Sequence, residues 1–265
     1  MLMEVRKSLK LIGYYFKFNI SSVMEYRVSF LVQFFGMILN NSAFIFFWWI
    51  LFKNVTNIGG YGFKDEMMLW AIMSSSFGFA FILFGNLSQI TKMIVNGELD
   101  TYLLQPKDPL INILCSKTIV SAWGDTLYGI VVFFFIKGFN IKAFLLFLLF
   151  CITGALIFSA VLVTFHTLSF YAGNMEGLAT LTTEFLISFS IYPEGIFNNG
   201  IKYVLYTIIP VYFIVYIPTR ILSQFSLITL FKILGITLLW VLIAYIMFYR
   251  GLKRYESGNL IINKL

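Results

Sequence analysis

Asp125 and Glu184 stand out first, because each interrupts a long apolar run, Thr118 to Ile136 and Gly177 to Tyr192 respectively. A carboxylate at membrane depth is costly, and is kept where it meets water, a partner side chain or a transported group. These two could line a hydrated path or carry a proton, or they could satisfy helix packing; the residues leave both readings open. His166 is the only histidine, so there is no second imidazole for a metal site or a relay, and it reads as a polar side chain bonded near a helix end. Cys115 and Cys151 sit at or near apolar runs and suggest neither a disulfide framework nor a metal cluster. No G-x-x-x-x-G-K-[ST] is present to cradle a nucleotide phosphate, and neither G-x-S-x-G nor H-E-x-x-H occurs. Hydrolytic chemistry is disfavoured, and any ATP must be handled by another chain.

The densest polar stretch is Asn96 to Leu110, NGELDTYLLQPKDPL, set between two apolar segments. Asn96 can cap a helix, Glu98 and Asp100 fall in its first turn where the helix dipole favours anions, and Pro106 stops it. About two turns are expected. Leu99, Tyr102 and Leu103 then share one face, with Glu98, Thr101 and Gln105 off it, an arrangement suited to pressing against a soluble partner.

The elements that hold these residues are membrane helices. With 60% hydrophobic and only 12% charged residues and a mean hydropathy of +0.87, the chain departs from a soluble domain, where about a quarter of residues are charged. It reads as a polytopic membrane protein, and its net charge of +7 as topology signal and lipid contact rather than nucleic-acid binding. The start of the chain does not read as a cleavable signal, since charges recur through Arg27. Residues 6–26 predict an interfacial helix, with Leu9, Ile12, Phe16 and Ile20 at helical spacing and Arg6, Lys7, Lys10 and Lys17 largely opposite.

Six spans follow: Val28 to Phe52; Met67 to Thr91, after a glycine-bearing loop over Lys53 to Glu66; Thr118 to Ile136; the first two thirds of Ala143 to Met175, ending near His166 to Tyr171; Gly177 to Tyr192; and Leu227 to Tyr249. The uncharged run of 25 residues in each of the first two is ample for about 30 Å of hydrocarbon. Between the last two spans, Pro193, Pro210 and Pro218 punctuate an apolar stretch, which predicts a re-entrant hairpin over 193–222 in the outer leaflet. Of the Lys and Arg residues, five precede the first span, three lie between Lys92 and Lys117, and four follow the last span. These twelve share one side with the termini, against six on the other, so the termini and the 96–110 stretch are expected to be cytoplasmic.

These motifs resemble a permease subunit of the ATP-binding-cassette transporters, in the type-2 exporter class, whose first cytoplasmic loop reads G-E-L-D-x-x-L-L-x-P-x-x-P-L. Here that is Gly97-Glu98-Leu99-Asp100, Leu103-Leu104, Pro106 and Pro109-Leu110. A second pattern before the last span is Tyr192-Pro193, Ile196-Phe197, Ile209-Pro210 and Tyr216-Ile217-Pro218. Gln105 departs from the arginine the family often places before the proline.

The resemblance implies one all-α permease domain over 1–265, in the plasma membrane of a bacterium, with no enzyme activity and no cofactor of its own. It further implies a dimer with a second permease chain, identical or related, and a separate cytoplasmic ATPase that binds ATP and Mg. The ATPase would dock on a coupling helix at 96–110 through Glu98, Leu99, Asp100, Tyr102, Leu103 and Pro106. Asp125, Glu184, Tyr192 and Pro193 are the candidates for the transport path, the last two because the hairpin would close its outer end. The competing readings are a secondary transporter coupled through Asp125 and Glu184, and a non-transporting scaffold or sensor.

Overall fold

The computed structural model describes residues 2–256, and the side chains from residue 6 onward. Among these residues all regular structure is helical, apart from one isolated bridge between Ile58 and Tyr61. Helix α1 (Leu2–Glu25) ends at a kink on Tyr26, and α2 (Arg27–Asn54) runs on from it. A loop over 55–62 leads to α3 (Phe63–Leu83), then a 3-10 turn (Leu87–Gln89) and the short α4 (Ile90–Val95), α5 (Asp100–Leu103) and α6 (Pro109–Cys115). Next come α7 (Ser121–Lys137), α8 (Ile141–Thr167), α9 (Ser169–Ala172) and α10 (Glu176–Ser190). The chain closes with α11 (Asn199–Thr207), a π-helical segment (Tyr212–Tyr216), α12 (Ile217–Ser223) and α13 (Leu227–Leu252).

Among the described residues, four helical stretches are long and apolar enough to cross a membrane: α2, α3, α8 continued by α9, and α13. A fifth crossing would need α11 and the Tyr212–Ser223 stretch to act together, although they are bent by 79°. The expected spans at α7 and α10 form helices of 17 and 15 residues, about 25 and 22 Å at 1.5 Å per residue. Each is shorter than the roughly 30 Å hydrocarbon core.

Helices α3 and α8 are central and buried on nearly every side. Their sequences show why: α3 carries Ser74, Ser75, Ser76 and Gly78, small residues that let neighbouring backbones approach. A Cβ on Gly78 would collide with Ala122 and Thr126 of α7, and one on Gly129 of α7 would collide with Ala71 and Ser75 of α3. Helix α2 packs on the far side of α7, and α13 packs on α8. Within the chain α2 is buried only at Asn41 and Trp48, and α13 only along one stripe that includes Ile233, Thr237, Ala244 and Phe248. Their remaining apolar surface is suited to lipid or to another chain.

The second span is shorter than expected from its uncharged run, because α3 stops at Leu83. The break is fixed by close backbone contact: a Cβ on Gly85 would overlap the backbone of Lys117 and Thr118. Gly85 N donates to Lys117 O at 3.1 Å, and Asn86 Nδ2 donates to Ile113 O at 3.2 Å and Ser116 Oγ at 2.8 Å. From the other strand of this knot, Ile119 N donates to Phe81 O and Thr118 Oγ1 to Ile82 O. The freed helix-end groups of α3 are thereby satisfied.

Candidate functional site

The 96–110 stretch is built differently from the two-turn helix expected. Asn96 does not cap a following helix; it is the C-cap of the preceding one. Gly97 adopts the left-handed conformation at φ 75°, and Glu98 N reaches back to Met93 O at 2.9 Å, which closes α4 in a Schellman turn. Only one turn, α5, remains, and Pro106 lies just beyond it. The expected apolar face is divided. Leu99 is fully buried within the chain, and Tyr102 packs inward with its hydroxyl 3.3 Å from Ser116 Oγ. Leu103 is 36% exposed, and Leu104, which had no assigned role, is 87% exposed. The outward tip is thus Leu103, Leu104 and Pro106, with Glu98 beside it and Asp100 half-buried.

Polar side chains hold this tip on a scaffold. Asp108 is the N-cap of α6, accepting from Ile111 N at 3.0 Å with Pro109 in the first helical turn. Its second oxygen accepts from Tyr249 at 2.8 Å and Tyr245 at 3.3 Å, both on α13. Buried Asn112 accepts a hydrogen bond from Tyr15 of α1 and donates to Gln105 Oε1 at 3.1 Å. Asn19 of α1 donates to Cys115 O at 3.0 Å. Gln105, the departure from arginine, is therefore engaged within its own chain, and it also donates to Thr101 O. Burial pushes the Cys115 thiol up to about 12, so it stays protonated beside this joint. None of Asp108, Asn112 and Tyr249 was singled out from sequence, although Asp-Pro is a recognisable helix-start signal.

The intramembrane acids are not brought together. Asp125 on α7 is buried, and one oxygen accepts from Asn41 Nδ2 of α2 at 2.7 Å while the other has no hydrogen bond. Tyr128 Oη donates to Asn41 O at 3.0 Å, tying α7 to α2 a second time. Glu184 lies exposed on α10, in a polar ridge with Thr180 and Ser188 at four-residue spacing, beside Leu181 and Phe185. His166 bonds through Nδ1 to Thr91 Oγ1 at 2.8 Å, near the end of α8, and Thr91 also meets Ser169 Oγ at 3.1 Å. This is the helix-end role read from the sequence, and it clamps α4 to α8 and α9.

Tyr192 and Pro193 lie where α10 turns into the 193–222 segment, and Tyr192 meets Trp48 of α2 ring to ring at 5.9 Å. The turn after them is pressed onto the 55–62 loop: a Cβ on Gly195 would collide with the Gly59 carbonyl. Gly59 itself sits at φ 58°. Glu194 is buried and accepts from Arg220 Nη2 at 2.8 Å, which binds this turn to α12. Tyr216, fully buried, donates to the carbonyls of Phe189 and Tyr192. Glu66, expected in the loop, lies in the first turn of α3, buried, with neither oxygen hydrogen-bonded.

Compared with known proteins, residues 13–258 match the model of a family described as ABC-2 family transporter protein. No curated protein matches the chain.

Proposed function

Since the chain belongs to the ABC-2 family of transporters, a family of membrane permeases that normally work with an ATPase subunit, we propose that it forms the substrate path of an ATP-driven exporter. Two such chains, each carrying one ATPase, span the membrane six times with cytoplasmic termini. In this topology α7 and α10 are the third and fifth crossings, short enough to need local thinning or tilted neighbours, and α1 lies along the cytoplasmic surface with Leu9 and Phe16 turned to lipid.

The observation that carries the reading is the exposed Leu103–Leu104 tip on a loop bonded to α1, α6 and α13. An apolar tip fits a groove on a soluble partner, and its bonded base lets a push on the tip move whole helices. The turn at 193–196, locked to the 55–62 loop, would close the outer end of the path between two permeases. ATP and Mg belong to the partner, and no residue of this chain is assigned to either. The alternative of ion-gradient coupling gains little from the placement of the acids, since Asp125 is held by Asn41 and Glu184 sits on another helix facing outward.

The test is Leu104→Glu in the intact complex. A charge placed in a desolvated contact should cost about 2 kcal/mol of association or more, so ATPase co-purification and export fall together while membrane insertion is unchanged. Thr101→Glu is the control. A Leu104→Glu permease that keeps its ATPase and pumps normally would sink the proposal.

A further inference from the structure

An open cavity of about 740 Å³ lies where α12 and α13 diverge, bounded on the third side by the 55–62 loop. Its lining holds the apolar side chains of Phe213, Ile217 and Ile221, the cations Arg220 and Lys232, and the hydroxyls of Thr219, Ser223, Ser226 and Thr229. Thr219 donates to Val215 O and Thr229 to Ser226 Oγ, which leaves the Ser223 and Ser226 hydroxyls to donate into the cavity. Arg220 donates from Nη2 to Glu194 at 2.8 Å and from Nη1 to Tyr212 Oη at 3.4 Å, and its side chain remains half-exposed. Lys232 makes no ion pair among the described residues and is exposed on a helix whose neighbours Ile228 and Phe231 are also exposed. A lysine about five residues inside an apolar helix is costly without an anion to meet it. Among the described residues, Asp65 is the one acid on the cavity wall; it has an oxygen engaged with Gly62 N at 3.1 Å and forms no ion pair with either cation.

We infer that this cavity is a binding site for an anionic phospholipid of the outer leaflet: the phosphate head at Lys232 and the half-exposed Arg220, bonded by the Ser223 and Ser226 hydroxyls, and the acyl chains along Phe213, Ile217 and Ile221. The charge pattern selects an anion, since Lys232 has no ion-pair partner among the described residues and Arg220, though paired with Glu194, lines the same cavity. The depth of Lys232 selects a lipid over a soluble anion, because its long stem reaches from hydrocarbon to headgroup level. The apolar wall would have no use for inorganic phosphate. From the proposed function the inference takes only the placing of the α13 start at the outer surface.

The experiment uses the purified full-length permease in detergent and in phosphatidylcholine nanodiscs, titrated with phosphatidylglycerol or with inorganic phosphate, and read by thermal unfolding and by lipid retained in native mass spectrometry. The wild-type chain should be stabilised by phosphatidylglycerol beyond phosphatidylcholine. Lys232→Gln should bind it roughly fivefold more weakly, as expected for removing one basic contact to an anionic lipid, while Lys232→Arg should retain it. Ser223→Leu, which puts bulk into the cavity and removes a hydroxyl, should also lose the extra lipid. Equal stabilisation by inorganic phosphate, or undiminished phosphatidylglycerol retention in both Lys232→Gln and Ser223→Leu, would overturn the inference. Neither readout involves the ATPase, so the outcome is separate from that of Leu104→Glu.

Discussion

At the scale of single residues, Asp125 and Glu184 look alike in the sequence and differ in what surrounds them. Asp125 faces one amide, Asn41 Nδ2, so Asp125→Asn can keep an oxygen acceptor at the same place without a charge. We expect that variant to assemble and to transport normally. Asp125→Ala instead leaves a buried amide without a partner, which costs about 1–3 kcal/mol, visible as a lower unfolding temperature. Glu184 has no hydrogen bond or ion pair among the described residues of its own chain, so Glu184→Gln should leave the stability of the isolated chain unchanged while altering transport. Full transport by Glu184→Gln would remove it from the path. The sequence showed that both acids were costly, but their partners could not be read from it. Asn41 is a lone amide in an apolar run, and which residue it meets depends on how α2 packs against α7.

Among the elements, the polar loop between α4 and α6 was expected to hold about two turns of helix and holds one. The reason lies in Gly97. A glycine after an apolar helical run marks a helix end, and the turn it makes consumed Asn96 and left only one turn for α5. The burial of Leu99 followed, because a single turn cannot present three apolar side chains outward when its base sits on α6. Asp108 governs how this loop meets α13. Asp108→Ala removes the cap of α6 and the bonds to Tyr245 and Tyr249, at about 1–2 kcal/mol for the cap alone. Because the tip itself is untouched, the variant should still bind its ATPase while ATP hydrolysis no longer drives efficient transport. If hydrolysis and transport fall in proportion, Asp108 serves only stability.

For the whole molecule, hydropathy located the apolar segments and charge asymmetry gave an expected orientation for them. Neither revealed that α3 and α8 form the centre, while α2 and α13 sit outside it with most of their surface uncovered. That distinction rests on small residues such as Gly78 and Gly129, whose pairing across α3 and α7 is a tertiary fact. Two measurements test the assembled picture. Reporters at Lys107 and after Leu265 should be cytoplasmic and those at Gly60 and Asn140 external; Lys107 and Gly60 on the same side would end the six-span topology. The polar ridge of α10 is poorly suited to lipid, so a cysteine at Thr180 or Ser188 should cross-link two copies. Both native cysteines are buried and should not interfere. Failure of both positions to cross-link in membranes would argue against α10 as the contact between permeases.

The π-helical segment at Tyr212–Tyr216 carries a consequence of its own. A π turn accommodates one residue more than the α-helix needs, so the chain here holds a removable letter. Deleting Phe213 would let an α-helix run straight into Pro218, and because a π turn takes up its extra residue locally, α12 would keep nearly its present phase. Arg220 should therefore still reach Glu194. The surplus residue acts as slack rather than as a lever: it widens the backbone at Tyr212–Tyr216 without turning the helices on either side of it.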